Sequence, residues 1–501
     1  MNCSFKHKHQ IHLFVITVFL LMLMFFWKLY PIVAVDADDI NYLTNIRPAI
    51  PIPGFWNPIR VLPEVLMPIC GNLAGVLSSL GLGSFFDCQV FTIALALSFF
   101  ISLYTYTFCL FMRKCLNSSI DRSICYSIIF LLFHFLVFRT EKAANLYLFH
   151  AYDACCYFFY TIGHLLNLSL LFYFMAYEGK DKIISREKPL KSSLVILGIY
   201  FAVFSNLYCS ISLAAFAGWK LLSALFNAVK KKEKFSAVIA ENFLYALILI
   251  LWFISLLIEY SGGRANSLSN TDFSFWGRFA RCLSFIAAAF GHTNILFRIL
   301  LAAVLLAALI ILPFSKNKKQ FLKLFGILLL TEFTIILFLL LLSSIVYPDY
   351  MGRTEVLFPC MSLIFVIIII SIEFIIKKID FIQLFLPLFI VFALTILNTG
   401  QRCFADSNAF GSNSLLALEI QNDVESQIKF AVQNGQQKMD LYLINTGDYY
   451  ANWPHNLSTG DELVRFFFKY GLIDREIKVN PVPSDAFNHK YAIESHIWRE
   501  N

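Results

Sequence analysis

Residues 11–42 read IHLFVITVFLLMLMFFWKLYPIVAVDADDINY, a long apolar run that ends in three aspartates within four positions. In a helix, which rises about 1.5 Å per residue, the run from Ile11 to about Ala34 is long enough to cross a hydrocarbon core of about 30 Å. Lys6 and Lys8 precede the run, which indicates a cytoplasmic start. The stretch therefore predicts a first transmembrane helix that leads to an acidic loop on the opposite membrane surface.

The composition is that of a membrane protein. Hydrophobic residues make up 58% of the 501 positions and charged residues only 15%, with a mean hydropathy of +0.68. Soluble domains carry more charge, so we expect an all-α polytopic membrane protein. The net charge of +7 comes from short basic clusters between apolar runs, which is typical of orientation signals. Nucleic acid is therefore not an expected partner.

Ten further apolar runs predict eleven transmembrane helices in all. The later runs lie at about 88–112, 124–138, 155–177, 193–207, 210–227, 238–259, 293–314, 321–346, 356–376 and 381–397. Alternate loops carry most of the lysines and arginines, so the positive-inside rule predicts a cytoplasmic N-terminus and an extracytoplasmic C-terminus. A re-entrant hairpin formed by the runs 193–207 and 210–227 is an alternative that leaves this orientation unchanged.

Two segments near the N-terminus have competing interpretations. A cleaved signal peptide is the alternative for the first run, because small residues stand at 35–37, but the run is long for a signal and contains Lys28. The stretch from Val61 to Leu82 is apolar but interrupted by Pro63, Pro68, Gly71 and Gly75. It favours a helix on the outer membrane surface over a transmembrane helix.

The C-terminal part differs in composition and predicts a small α/β appendage outside the membrane. Helical spacing occurs at 415–432 and 461–470, and short strands are predicted at 439–444 and 476–479. The predicted organisation is a transmembrane unit at 1–397, which includes the acidic loop and surface helix at 35–87, and the appendage at 398–501. The twelve cysteines lack a CxxC motif, so we expect small core residues rather than a zinc site or disulfides.

The acidic loop contains Asp36, Asp38 and Asp39. Three carboxylates at the mouth of a membrane helix are costly unless they bind a cation, hold a basic partner or take a proton from a substrate. A divalent cation at the three aspartates is one alternative, and a solvated helix end is another. The aromatic and proline residues of the following segment, Phe55 to Glu64, favour an ordered loop.

Other outer loops supply candidate partners. Arg353 is the only basic residue of the loop from Tyr347 to Glu355, and its guanidinium suits a phosphate or a structural ion pair with Asp349 or Glu355. His150 and Asp153 would share a helix face as a metal or proton-transfer pair, with an ordinary interfacial histidine as the alternative. The loop from 260 to 293, with its arginines and aromatic residues, predicts a helix in the lipid headgroup layer.

This arrangement resembles the GT-C superfamily of integral membrane glycosyltransferases, particularly its bacterial members. The resemblance lies in one helix, an outer loop with Asp36-x-Asp38-Asp39, a surface helix, about ten more helices and an outer appendage. It implies that Asp38 or Asp39 is the catalytic base and that Arg353 binds the donor phosphate. Asp36 would cap the helix or assist binding, whereas Arg60 and Glu64 would brace the loop or contact the acceptor.

The resemblance also implies the reaction. We expect an inverting glycosyltransferase that moves a sugar from a polyprenyl-phosphate-linked donor to a cell-surface glycan or lipid acceptor, on the outer face of a bacterial cytoplasmic membrane. The tail lacks a motif rich in tryptophan and aspartate, which disfavours oligosaccharide transfer to asparagine. No nucleotide-binding loop is evident. A transporter, flippase or polymerase of lipid-linked saccharides is the alternative.

Overall fold

The computed structural model describes residues 2–139, 145–177, 183–184, 187–267, 274–398, 404–408, 413–445 and 459–493. Within these ranges, nine helices are long and apolar enough to cross a membrane. They are His9–Leu29, Val61–Ser79, Phe85–Cys115, Ala154–Tyr177, Leu207–Lys231, Phe243–Tyr260, Ile295–Phe314, Lys318–Val346 and Thr354–Ile376. The predicted architecture of many membrane-length helices is therefore confirmed.

Shorter helices connect or accompany these nine. They are Ala37–Thr44, Ile120–Leu136, Pro189–Val203, Phe235–Glu241, Gly263–Ser267, Phe275–Gly291, Pro348–Gly352, Asp380–Leu384 and Phe385–Asn398. Helix Ala154–Tyr177 contains one π-helical turn, Tyr157–Ile162. The predicted runs at 124–138, 193–207 and 381–397 correspond to such shorter helices, so length and composition support fewer full spans than the eleven predicted from apolar runs.

The predicted surface helix is one continuous helix, Val61–Ser79, and it meets the same length and composition criteria as the spans. Pro63 lies in its first turn, where the missing N–H would have no helical partner. A side-chain carbon at Gly71 would lie 2.1 Å from the Leu43 carbonyl oxygen, and one at Gly75 would lie 2.6 Å from the Tyr470 ring. The sequence suggested that these glycines interrupt the helix. In the structure they do not interrupt it, and they permit close packing.

The C-terminal elements occur close to their predicted positions. Strand β1, Lys438–Ile444, pairs in parallel with β2, Lys478–Ser484, and the helices Ser414–Gln433, Thr459–Lys469 and Asp485–Lys490 accompany them. The second strand starts two residues later than predicted and continues through Pro481 and Pro483. Prolines are tolerated there because each strand of a two-stranded sheet has a free edge.

The appendage packs against the segment that leads to the acidic loop. The Phe85 backbone N–H donates to Glu425 Oε2 over 2.8 Å, and Gln421 Nε2 donates to the Val35 carbonyl over 3.3 Å. From the other side, Gln89 exchanges hydrogen bonds with the backbone of Ile32 and Ala34. Residues 32–35 are thereby held between a membrane-length helix and the appendage, directly before Asp36, the N-cap of the helix Ala37–Thr44.

Candidate active site

A cavity of about 720 Å³ lies beside helix Ala37–Thr44, which we call the acidic helix. We call this space the acidic cavity. Its charged lining residues come from five separate segments of the chain: Asp38, Arg60, Asp153, Arg264 and Arg353. The cavity thus brings together Asp38 and Arg353, which lie more than three hundred positions apart in the sequence.

The first and third aspartates of the acidic loop hold the backbone. Asp36 caps the acidic helix, and its Oδ1 accepts a 2.7 Å hydrogen bond from the Asp39 N–H. Asp39 is 0% exposed, and its two oxygens accept from the N–H groups of Cys155 at 2.6 Å and Val35 at 3.1 Å. Neither residue lines the cavity. The prediction of Asp39 as an alternative base, and of Asp36 as a substrate ligand, does not fit this geometry, because both oxygens of Asp39 and Oδ1 of Asp36 accept from the backbone and neither residue lines the cavity.

Asp38 is the exposed member of the three and faces the cavity. Within the described residues its carboxylate accepts no hydrogen bond. Burial of the surrounding recess and the nearby charge of Asp153 raise the pKa of Asp38, and Arg264 and Arg60 partly oppose that increase. A carboxylate with a raised pKa and free oxygens is suited to accept a proton.

Arg60 precedes helix Val61–Ser79, which is anchored by a 2.9 Å hydrogen bond from the Val61 N–H to the Phe204 carbonyl. Its side chain is only 8% exposed, and its guanidinium lies 5.0 Å from the Phe159 ring centroid. In the described part of the chain this group has no hydrogen bond or ion pair. Against the effect of burial, Glu259 and Glu64 lie near enough to raise the pKa of Arg60, but neither forms an ion pair with it, so the guanidinium keeps donors that can meet an anion entering the cavity.

Arg353 serves two purposes. Its Nε lies 2.7 Å from Glu355 Oε1, which is the structural ion pair that the sequence left open. Its Nη2 donates to Cys156 Sγ at 3.2 Å, and the guanidinium also lines the cavity between the rings of Tyr160 and Tyr350. Glu355 therefore orients Arg353, and the cavity side of the guanidinium is placed to contact a ligand.

Arg264 was expected to face lipid headgroups, but it lines the cavity. Its Nη2 donates to the Tyr350 hydroxyl at 2.6 Å, and its backbone N–H donates to the Trp56 carbonyl at 3.3 Å. The sequence feature that could have indicated this position of Arg264 is the preceding pair of glycines, Gly262 and Gly263. A side-chain carbon at Gly263 would lie 2.8 Å from the Trp56 ring, so the glycines allow two distant loops to touch.

Glu64 does not reach the cavity and is not placed to contact an acceptor. It is buried and forms a 2.8 Å ion pair with Arg47. Arg47 also donates to the carbonyl oxygens of Asn57 and Pro58. This pair braces the loop before Arg60, which is the supporting role that the sequence offered as one alternative.

His150 and Asp153 do not share a helix face, because the backbone between them is not helical. His150 Nε2 lies 3.4 Å from the Asp406 carbonyl oxygen, and burial lowers the pKa of this histidine. Asp153 caps the helix at Ala154, where its Oδ1 accepts from the Cys156 N–H at 2.6 Å. Of the predicted pair, only Asp153 lines the acidic cavity.

The hypothesis of a cation held by three aspartates loses two ligands, since Asp36 and Asp39 bond to the backbone. Among described residues, the group with metal-type donor atoms close together is Asp153, Cys155 and Cys156, all within 4.8 Å of one another. Comparisons with protein-family models, curated proteins and solved structures found no match to this chain. The chemistry of the acidic cavity therefore carries the functional argument.

Proposed function

We propose that this chain is a membrane glycosyltransferase that moves a sugar from a polyprenyl-phosphate-linked donor to a hydroxyl group of a glycan or lipid acceptor. The observation that carries the proposal is the shared cavity of Asp38 and Arg60: among the described residues the Asp38 carboxylate accepts no hydrogen bond, and the largely buried Arg60 side chain forms no hydrogen bond or ion pair. The Asp38 carboxylate can accept the proton of an acceptor hydroxyl, and the Arg60 guanidinium can bind a phosphate. The resemblance to GT-C enzymes supports the same assignment.

In the proposed reaction the acceptor oxygen attacks the anomeric carbon of the donor sugar. The bond from that carbon to the phosphate oxygen breaks, and its electron pair leaves with the phosphate. Asp38 takes the proton of the acceptor hydroxyl. Arg60, Arg264 and Arg353 line the same cavity, where their positive charge would stabilise the charge that develops on the leaving phosphate.

The place of the cavity suits a lipid-linked donor. Helix Ala154–Tyr177 begins at the acidic cavity and helix Lys318–Val346 ends there, since Cys155 and Val346 both line it. A phosphate bound at the ends of membrane-length helices would sit near the membrane surface, with its polyprenyl chain in the hydrocarbon layer. A bacterial cytoplasmic membrane, with the cavity on the extracytoplasmic face, is the setting that we propose.

Replacing Arg60 with glutamine tests the phosphate site. A hydrogen bond to a charged group contributes about 1.5–3 kcal/mol, so we expect donor affinity to fall about 10- to 150-fold. The measurement is binding and turnover of a panel of polyprenyl-phosphate-linked sugars by purified protein in lipid. Arg281→Gln is the control, because Arg281 lies outside the cavity in a half-exposed pair with Asp349 at 2.9 Å.

Two results would overturn the proposal. One is an Arg60→Gln protein that binds every donor of the panel as tightly as the parental protein. The other is a parental protein that carries the donor across vesicle membranes but never releases polyprenyl phosphate, since that behaviour belongs to a transporter or flippase.

A further inference from the structure

A second and larger cavity, of about 1230 Å³, lies at the other end of the helix bundle. We call it the basic cavity. Helix Ala154–Tyr177 contributes its first residues to the acidic cavity and its last residues, including Met175, to the basic one. In helix Lys318–Val346 the order is reversed, with Lys323 in the basic cavity and Val346 in the acidic one. The 23 positions from Lys323 to Val346 correspond to roughly 35 Å of helix, about the thickness of a membrane.

The charge of the basic cavity has one sign. Lys114, Lys220 and Lys323 line it, together with four side-chain amides, and the described lining residues include no aspartate or glutamate. Lys220 lies within the apolar helix Leu207–Lys231, eleven positions before its end. Its ammonium group lies 5.5 Å from the Phe216 ring centroid, and the residue lines the cavity.

The rest of the lining is apolar. Leu324, Ile327 and Leu330 follow one another along helix Lys318–Val346 at spacings of three residues, so they form a continuous stripe in the cavity. Gly326 lies beside this stripe, and a side-chain carbon added there would meet no atom within 4 Å. The cavity therefore offers an open apolar channel next to fixed positive charge.

We propose that the basic cavity binds an anionic phospholipid of the leaflet at that end of the protein. The phosphate would lie among the three lysines, and an acyl chain would lie along the leucine and isoleucine stripe. A soluble anion would leave that stripe exposed, and a zwitterionic lipid would bring its own cation toward the lysines. This site is separate from the acidic cavity, and its existence does not depend on the sugar-transfer proposal.

Trp219 supplies a reporter, because it lines the cavity and its Nε1 donates to Thr334 Oγ1 at 2.9 Å. The full chain in detergent micelles is titrated with brominated phosphatidylglycerol, which quenches nearby tryptophans. The difference between parental protein and Trp219→Phe isolates the Trp219 signal from the other six tryptophans. We expect saturable quenching, and binding at least about ten-fold tighter than that of brominated phosphatidylcholine.

Three variants and one control test the two halves of the site. Lys323→Gln and Lys220→Gln should each weaken phosphatidylglycerol binding about five-fold. Lys319→Gln, a lysine one turn away on the same helix but outside the cavity lining, should not. Gly326→Leu fills open space without altering charge, so it should abolish quenching of Trp219 while the protein stays folded.

Equal affinity for the two phospholipids, or an equal effect of Lys319→Gln and Lys323→Gln, would overturn the assignment. Unchanged quenching of Trp219 in the Gly326→Leu protein would also overturn it. If polyprenyl phosphate displaces phosphatidylglycerol at lower concentration than phosphatidylglycerol itself binds, the cavity is a second site for the substrate lipid and the phospholipid proposal is wrong.

Discussion

Replacement of Asp38 with asparagine separates catalysis from folding. Asp38 is exposed and accepts no hydrogen bond from the described residues, so the variant loses only a charge near the N-terminus of the acidic helix. That loss amounts to about 0.3–1 kcal/mol of stability. Loss of a general base slows a reaction about 10²- to 10⁴-fold, which raises the barrier by about 2.7–5.5 kcal/mol. We therefore expect a folded protein that binds donor but transfers sugar very slowly.

Asp39→Asn is the matched control. Both oxygens of Asp39 accept backbone hydrogen bonds, so an asparagine would turn its NH₂ group toward a backbone N–H. One buried hydrogen bond is lost and one donor is left unsatisfied, at about 1–3 kcal/mol. The expected protein is less stable, yet its folded fraction should transfer sugar at close to the parental rate.

The assay combines the rate of sugar transfer at saturating donor, donor binding, and thermal unfolding of each protein in the same lipid. Parental transfer by Asp38→Asn would refute the assignment of the base. If Asp39→Asn instead transferred sugar slowly without losing stability, Asp39 would be the base and Asp38 would not. If neither variant changed the rate, the acidic helix would contain no base.

Two further predictions concern the cavity and its support. Because the pKa of Asp38 is raised, its carboxylate becomes protonated, and the rate falls, at a higher pH than for an ordinary aspartate. Arg264 opposes that rise, so Arg264→Gln should move the acidic limb of the pH–rate profile to still higher pH, and an unmoved limb would contradict this. Gly71→Ala places a carbon 2.1 Å from the Leu43 carbonyl and should destabilise the protein by about 1–3 kcal/mol. In Gly326→Ala the added carbon enters open space, so this variant should not show that loss of stability. Equal losses of thermal stability in the two variants would contradict the packing argument.

Local patterns in the sequence were sufficient for the class of protein and for most elements. A mean hydropathy of +0.68 and repeated apolar runs predict membrane-length helices, because such helices satisfy their own backbone hydrogen bonds in lipid. The helix Ser414–Gln433 and strand Lys438–Ile444 were likewise predicted from the spacing of their apolar residues. These features depend on neighbours a few positions away, which the sequence displays directly.

The number of full spans depends on more than apolar length. The segment Val61–Ser79 contains proline and glycine, yet it is one helix, and Leu43 and Tyr470 pack closely against its glycines. Those contacts join residues up to 395 positions apart, from Gly75 to Tyr470. No local pattern reveals them.

The roles of the candidate site residues were decided by folding. Adjacent residues on a helix point about 100° apart, so Asp38 faces the cavity while Asp39 turns inward to the Cys155 N–H. Glu64 meets Arg47 across 17 positions and is removed from the site, whereas Arg264 is brought into it by contact between distant loops. The sequence showed which charges the chain carries in its loops. Their division into structural pairs and cavity groups required the tertiary structure, because burial and long-range contacts determine which oxygens and guanidinium groups stay free for a ligand.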